Sequence, residues 1–160
     1  LQITLAALQV LAFTDTGRDP QDLKSPNLLI NARTGAVKVC DFGLSRCKQA
    51  TATMTAIGTC QWTAPEVLRR DAYSEKADVW SFGVIVWELC ALALPFGDMS
   101  AVSVAAGVAY NGLRLVPPPA MPPLLRSVME RCFHDDPSCR PSFVELTALL
   151  AQSDTQLQQT

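Results

Sequence analysis

The stretch SEKADVWSFGVIVWELCALAL, residues 74–94, limits what this chain can become. Ser74 suits a helix cap, and from Val79 to Leu89 apolar residues fall on nearly every side of a 3.6-residue period. A helix with no polar face has to be surrounded, so it belongs at the centre of a domain. A bilayer could also surround it, but Ser81 and Glu88 interrupt the run and Pro95 ends it. The rest of the chain must therefore supply a jacket. With 160 residues, 49% hydrophobic and 18% charged, it has enough for one domain with its own core.

The jacket is also mostly helical by pattern. TAPEVLRR reads as a short helix start, and DMSAVSVAAGVAYNG as a helix capped by Asp98 or Ser100 and closed by Gly112. PPPAMPP is a rigid connector. PLLRSVMERCF puts Leu124, Leu125, Val128, Met129 and Cys132 on one face, and PSFVELTALLAQ opens with Ser142 and Glu145 spaced as a capping box. Upstream, residues 2–13 have helix-compatible spacing, ended by TDTGRDP. NLLI and AVKVC are short strand-like runs joined through NARTG, which predicts a hairpin with Gly35 at its turn. Residues 43–63 show no sustained period and read as a long loop, a length that in compact domains tends to be functional. The tail SDTQLQQT is polar and expected to fray.

Several function classes lose support. A net charge of −2 and a pI near 5.3, with no basic run longer than Arg69-Arg70, argue against nucleic-acid binding. The six cysteines form no CxxC pair and the chain has one histidine, which disfavours zinc as well as Ser-His-Asp and Cys-His catalysis. Cys40 and Cys90 lie in apolar runs and read as small core residues, as expected of a reduced, intracellular protein. His134, in the polar turn FHDDP, reads as a surface residue. No segment reads as membrane-spanning. LQITLAALQVLAF lacks the basic leader of a signal peptide. The first methionine is Met54, so a piece of a longer chain is expected.

Three short strings fall in order: DLKSPN from Asp22 to Asn27, DFG from Asp41 to Gly43, and APE from Ala64 to Glu66. Each alone is weak. Asp22 and Asn27 could be turn formers, and Asp41 to Gly43 an ordinary exit from a strand. In this order, with a hairpin between the first two and a long loop between the last two, they resemble the protein kinases. The resemblance spans roughly residues 20–150. DVWSFGVIVWEL is similar to the central helix of the kinase large lobe, and CFHDDPSCRPSF to the region leading into its last helix. DLKSPNLL together with GTCQWTAPEVL looks most like the tyrosine-kinase-like group of serine/threonine kinases.

The resemblance implies an α+β fold, a kinase-like C-terminal lobe that is mainly α-helical with a small β-hairpin. It divides the chain into a degenerate helix and turn at 1–19, the lobe at 20–152 and a polar tail at 153–160. It implies ATP and Mg2+ as cofactors and a protein substrate offering Ser or Thr. Asp22 would accept or orient the proton of the substrate hydroxyl, and Lys24 would reach the transferring phosphate. Asn27 and Asp41 would hold magnesium, for which an oxygen donor set is suited. Thr59 would bond Asp22 and Lys24 and help select Ser or Thr. Thr51, Thr53 and Thr55 would be candidate phosphorylation sites on the loop. Glu66 would pair with Arg140, Asp78 would anchor the backbone of the catalytic loop, and Trp80, Phe82 and Trp87 would be core.

The sequence departs from the family in two respects. No G-x-G-x-x-G precedes the motifs, and neither the strand lysine nor the helical glutamate of the small lobe is present, so that lobe is expected to be missing from this chain. The glycine-spaced string from Gly107 to Arg114 lacks the Lys-Ser/Thr of a P-loop and is discounted. Pro20 and Gln21 stand where the family has His and Arg, so a phosphate on the loop would lose its arginine partner, with Arg46 the nearby substitute. The isolated chain is therefore expected to be inactive. The alternative is a catalytically dead interaction module.

Overall fold

The computed structural model describes residues 23–31, 33–34, 37–39 and 60–157. The sequence readings for residues 1–22, the Gly35 turn and the loop from 40 to 59 lie outside them. Helices make up most of the described chain, with one small hairpin.

The hairpin pairs β1 (Leu28–Ile30) antiparallel with β2 (Val37–Val39), with Leu28 opposite Val39 and Ile30 opposite Val37. Asn31 opens the connection: its Oδ1 accepts from the backbone N–H groups of Arg33 at 2.9 Å and Thr34 at 3.2 Å. That is the local bonding by which Asn favours turns.

Helix α1 (Pro65–Arg69) begins with proline, whose missing N–H would have no helical partner there. It ends at Arg70, left-handed at φ 63°. Helix α2 (Lys76–Ala91) is the central element, and every residue from Ala77 to Val86 is buried. Ser74 Oγ accepts from the Lys76 N–H at 3.3 Å, although Glu75 occupies the cap position. The helix stops at Leu92, another left-handed non-glycine, at φ 51°. Trp80 and Phe82 are core, but Trp87 is only partly buried: beyond Val86 the jacket thins, and the Trp87 indole donates to the Val116 carbonyl at 2.8 Å. Cys90 is likewise half-buried against the core rather than inside it.

Helix α3 (Ala101–Tyr110) packs along α1, and α4 (Pro123–Cys132) packs along α2. Ser100, not Asp98, caps α3, accepting from the Ser103 N–H at 3.1 Å. A Cβ at Gly107 would lie 2.7 Å from Leu113 Cδ2, and Gly112 is left-handed at φ 65°. Packing and a chain reversal thus account for that glycine-spaced string. On α4, Leu125, Val128, Met129 and Cys132 are buried and Leu124 is half-buried. Full burial pushes the Cys132 thiol up to about 12.

Helix α5 (Phe143–Leu157) starts with the capping box: Ser142 Oγ accepts from the Glu145 N–H at 3.2 Å, and Glu145 Oε2 accepts from the Ser142 N–H at 2.7 Å. It runs past residue 152, with no Gly or Pro in the span to stop it. None of the described helices is long and apolar enough to cross a membrane.

Candidate active site

The described part of the site is one tight turn. Lys24 is extended, and Ser25–Asn27 form a 3-10 turn whose first residues include Pro26, a proline with φ preset for it. The Asn27 N–H donates to the Lys24 carbonyl at 2.9 Å. Leu28 leaves the turn in extended conformation and enters β1 directly. Lys24 and Asn27 therefore sit on a rigid step between a buried anchor, Leu23, and a paired strand. Both are half-buried. Since Leu28 faces Val39, the Asn27 end of β1 lies opposite the end of β2 from which the sequence runs on to Asp41.

Of the candidate residues, Asp22, Asp41, Thr59, Thr51, Thr53 and Thr55 lie outside the described set. So do Pro20, Gln21 and Arg46. Among those described, Lys24 and Asn27 share the turn, whereas Glu66, Asp78 and Arg140 lie in the helical body. Asp78 is buried in the first turn of α2.

Glu66 and Arg140 form a buried bidentate pair, with Nη1 to Oε1 at 2.6 Å and Nη2 to Oε2 at 2.9 Å. Two more Arg140 donors are used: Nε bonds the His134 carbonyl at 2.9 Å and Nη1 the Lys76 carbonyl at 2.9 Å. Lys76 Nζ returns a bond to the Arg140 carbonyl at 2.6 Å. The Trp80 ring lies under both the Arg140 guanidinium at 5.2 Å and that of Arg114 at 4.7 Å. The fork geometry of arginine lets all three of its nitrogens bond at once.

Two residues beside the turn, Glu88 and Trp62, are not among the sequence candidates for the site. Glu88, on α2, accepts from Ser25 Oγ at 2.9 Å through Oε1 and from Trp62 Nε1 at 2.7 Å through Oε2. Trp62 is buried, and its carbonyl accepts from Ser81 Oγ at 2.7 Å. Burial pushes the Glu88 carboxyl up, and the bonds from Trp62 and Ser25 pull it back down. The available signal was Glu88 itself, an acid inside an otherwise apolar helical run.

The family model described as protein tyrosine and serine/threonine kinase matches residues 20–150. The chain belongs to that family. Serine/threonine-protein kinase CTR1 of Arabidopsis thaliana is 46% identical over 132 residues, covering 81% of this chain and 16% of that protein. Probable serine/threonine-protein kinase drkB of Dictyostelium discoideum is 42% identical over 135 residues, 84% of this chain and 19% of that protein. Human mitogen-activated protein kinase kinase kinase 10 is 42% identical over 130 residues, 77% of this chain and 14% of that protein. The chain thus spans less than a quarter of the length of these kinase relatives. The mostly helical architecture, with one small hairpin, is consistent with the C-terminal lobe of the kinase fold.

Proposed function

We propose that the chain is the large-lobe part of a protein serine/threonine kinase, which transfers the γ-phosphoryl group of ATP to a Ser or Thr hydroxyl of a protein substrate inside the cell. The carrying observation is the Lys24–Asn27 turn, fixed between the core and the hairpin inside the span that the kinase family model matches. In this reading the substrate oxygen bonds to phosphorus as the bond to the leaving ADP breaks, and the hydroxyl proton passes to Asp22. Lys24 steadies charge on the transferred group. Asn27 and Asp41 offer the oxygen donors that suit magnesium, which when bound neutralises phosphate charge. Thr59 bonds Asp22 and Lys24 and favours Ser or Thr.

This chain provides a floor for the nucleotide. The phosphate-covering glycine loop and lysine of the family have no counterpart in its sequence. The 160-residue chain by itself is therefore expected to bind Mg-ATP weakly and to transfer no phosphate, and low-micromolar affinity in isothermal titration would contradict that. Pro20 and Gln21 favour a second reading, a catalytically dead interaction module. The deciding assay supplies the full-length natural protein with labelled ATP, magnesium and a Ser/Thr substrate. An active enzyme should lose at least about 100-fold in rate on Asp22→Asn, the scale of a lost proton acceptor. No transfer by the unmutated protein would leave the second reading.

A further inference from the structure

We propose that Glu88 is a positioning residue: its carboxylate clasps the Lys24–Asn27 turn to the segment around Trp62, holding the two in one register. The inference rests on the phosphoryl-transfer reading of that turn. Each carboxylate oxygen takes a donor from a different part of the chain, Ser25 from the turn and Trp62 from the segment just before α1. Those donors are 63 and 26 residues from Glu88 in sequence, so no local helix bonding explains the arrangement. Ser25 lies between Lys24 and Asn27, and its peptide is part of the turn that the Asn27 N–H closes onto the Lys24 carbonyl. Trp62 lies three residues before the Pro65 start of α1 and is fixed again through its carbonyl by Ser81. A single side chain on the most buried helix thus spans both segments.

The chemistry favours geometry over bulk stability. A leucine at this point of α2 would bury without loss, whereas a half-buried carboxylate pays desolvation, the leading influence on its titration. A charged acceptor makes short, directional bonds. Indole N–H can only donate, so Trp62 requires an acceptor here. Glutamine would keep one acceptor oxygen for Trp62 and could donate to Ser25, but it would lose the charge that makes both bonds strong.

Hydrogen exchange read by mass spectrometry on the full-length natural protein tests the clasp without requiring activity. Ser25→Ala removes one bond and no packing. It should speed exchange in the peptide covering residues 24–30 by about tenfold, the order of one lost hydrogen bond to a charged group, while exchange in α4 and α5 stays unchanged. Glu88→Ala should speed exchange both there and in residues 60–64, and adding Ser25→Ala should then change nothing more at 24–30. Glu88→Gln should fall between the two. Where the protein transfers phosphate, Ser25→Ala should lower kcat and leave the KM for the protein substrate nearly unchanged. Unchanged exchange at 24–30 in both Ser25→Ala and Glu88→Ala overturns the clasp, whether or not the protein is a kinase. Full additivity of the two substitutions also overturns it. Absence of transfer in the unmutated protein, with the exchange pattern as expected, overturns the catalytic reading and leaves the clasp standing.

Discussion

The helical body and the strip carrying Lys24 and Asn27 are held in different ways. In the body, α2 is wrapped by the other helices, Phe82 is 0% exposed, and Arg140 is buried at 1% with all three guanidinium nitrogens bonded. In the strip, Leu23 and Val37 are buried, but Leu29 and Ile30 remain 59% and 51% exposed. The body stands on enclosed volume and closed polar networks. Among the described contacts, the strip rests on the buried Leu23 and Val37, on Leu28 packed against the core, on a two-stranded ladder and on the Ser25–Glu88 bond. Two strands alone are marginal in water, so the strip takes its shape from the body beneath it.

The largest test of this contrast is Glu66→Ala. It leaves the Arg140 guanidinium buried without its carboxylate, which typically costs about 3–5 kcal/mol from a total near 5–15. Thermal unfolding followed by circular dichroism should show a midpoint lower by about 10 °C or more, and an unchanged midpoint would remove the pair from the account. Leu23→Ala comes next, at about 2–5 kcal/mol for the buried side chain. Here the loss should be local: exchange at residues 24–39 rises far more than in α4. A uniform rise would show that strip and body open as one.

Gly83→Ala probes how tightly the body is closed. The new Cβ would lie 2.7 Å from Cys132 Cβ and 2.9 Å from Phe133 Cε1, an overpacking worth about 1–3 kcal/mol in urea unfolding. Ser142→Ala should cost about 1 kcal/mol by unmaking the cap of α5. Bonds from Ser142 hold the Glu145 carboxyl below its ordinary 4.5. Because the folded value is the lower one, the contribution of Glu145 is present above 4.5 and fades as pH falls through the folded value. Alanine keeps the Ser142 backbone N–H bond, the larger influence, so only the part carried by the Ser142 hydroxyl should narrow the gap between wild type and Ser142→Ala in acid. Ile30→Thr, on the exposed strip, should move stability by no more than about 0.5 kcal/mol. A larger loss would mean that something covers that strand.

The same contrast governs what the sequence reveals. Period and capping exposed the body: the apolar run of α2, the one-sided face of α4 and the Ser142–Glu145 box are all local patterns. Ends were harder. Helix α2 stops at Leu92 in a conformation that leucine does not advertise, and α5 continues because nothing in its sequence breaks it. Trp87 has the apolar character of a core residue, and only the thinning of the jacket near Val116 exposes it. The hairpin was legible from its alternating runs around NARTG. The Glu66–Arg140 pairing came from family resemblance, since no spacing rule joins residues 74 apart. The Ser25, Trp62 and Glu88 contact was not legible, because three segments must fold before their atoms meet.

Arg140 also sets a timetable. A ribosome releases Glu66 well before the arginine that neutralises it, with 74 positions between them. Until the later residue emerges, a carboxylate destined for the interior has no cation there, and α1 and α2 cannot close around it without the cost of a bare charge. Completion of this body thus waits for Arg140. A nascent chain ending before residue 140 should remain open and in need of chaperone protection.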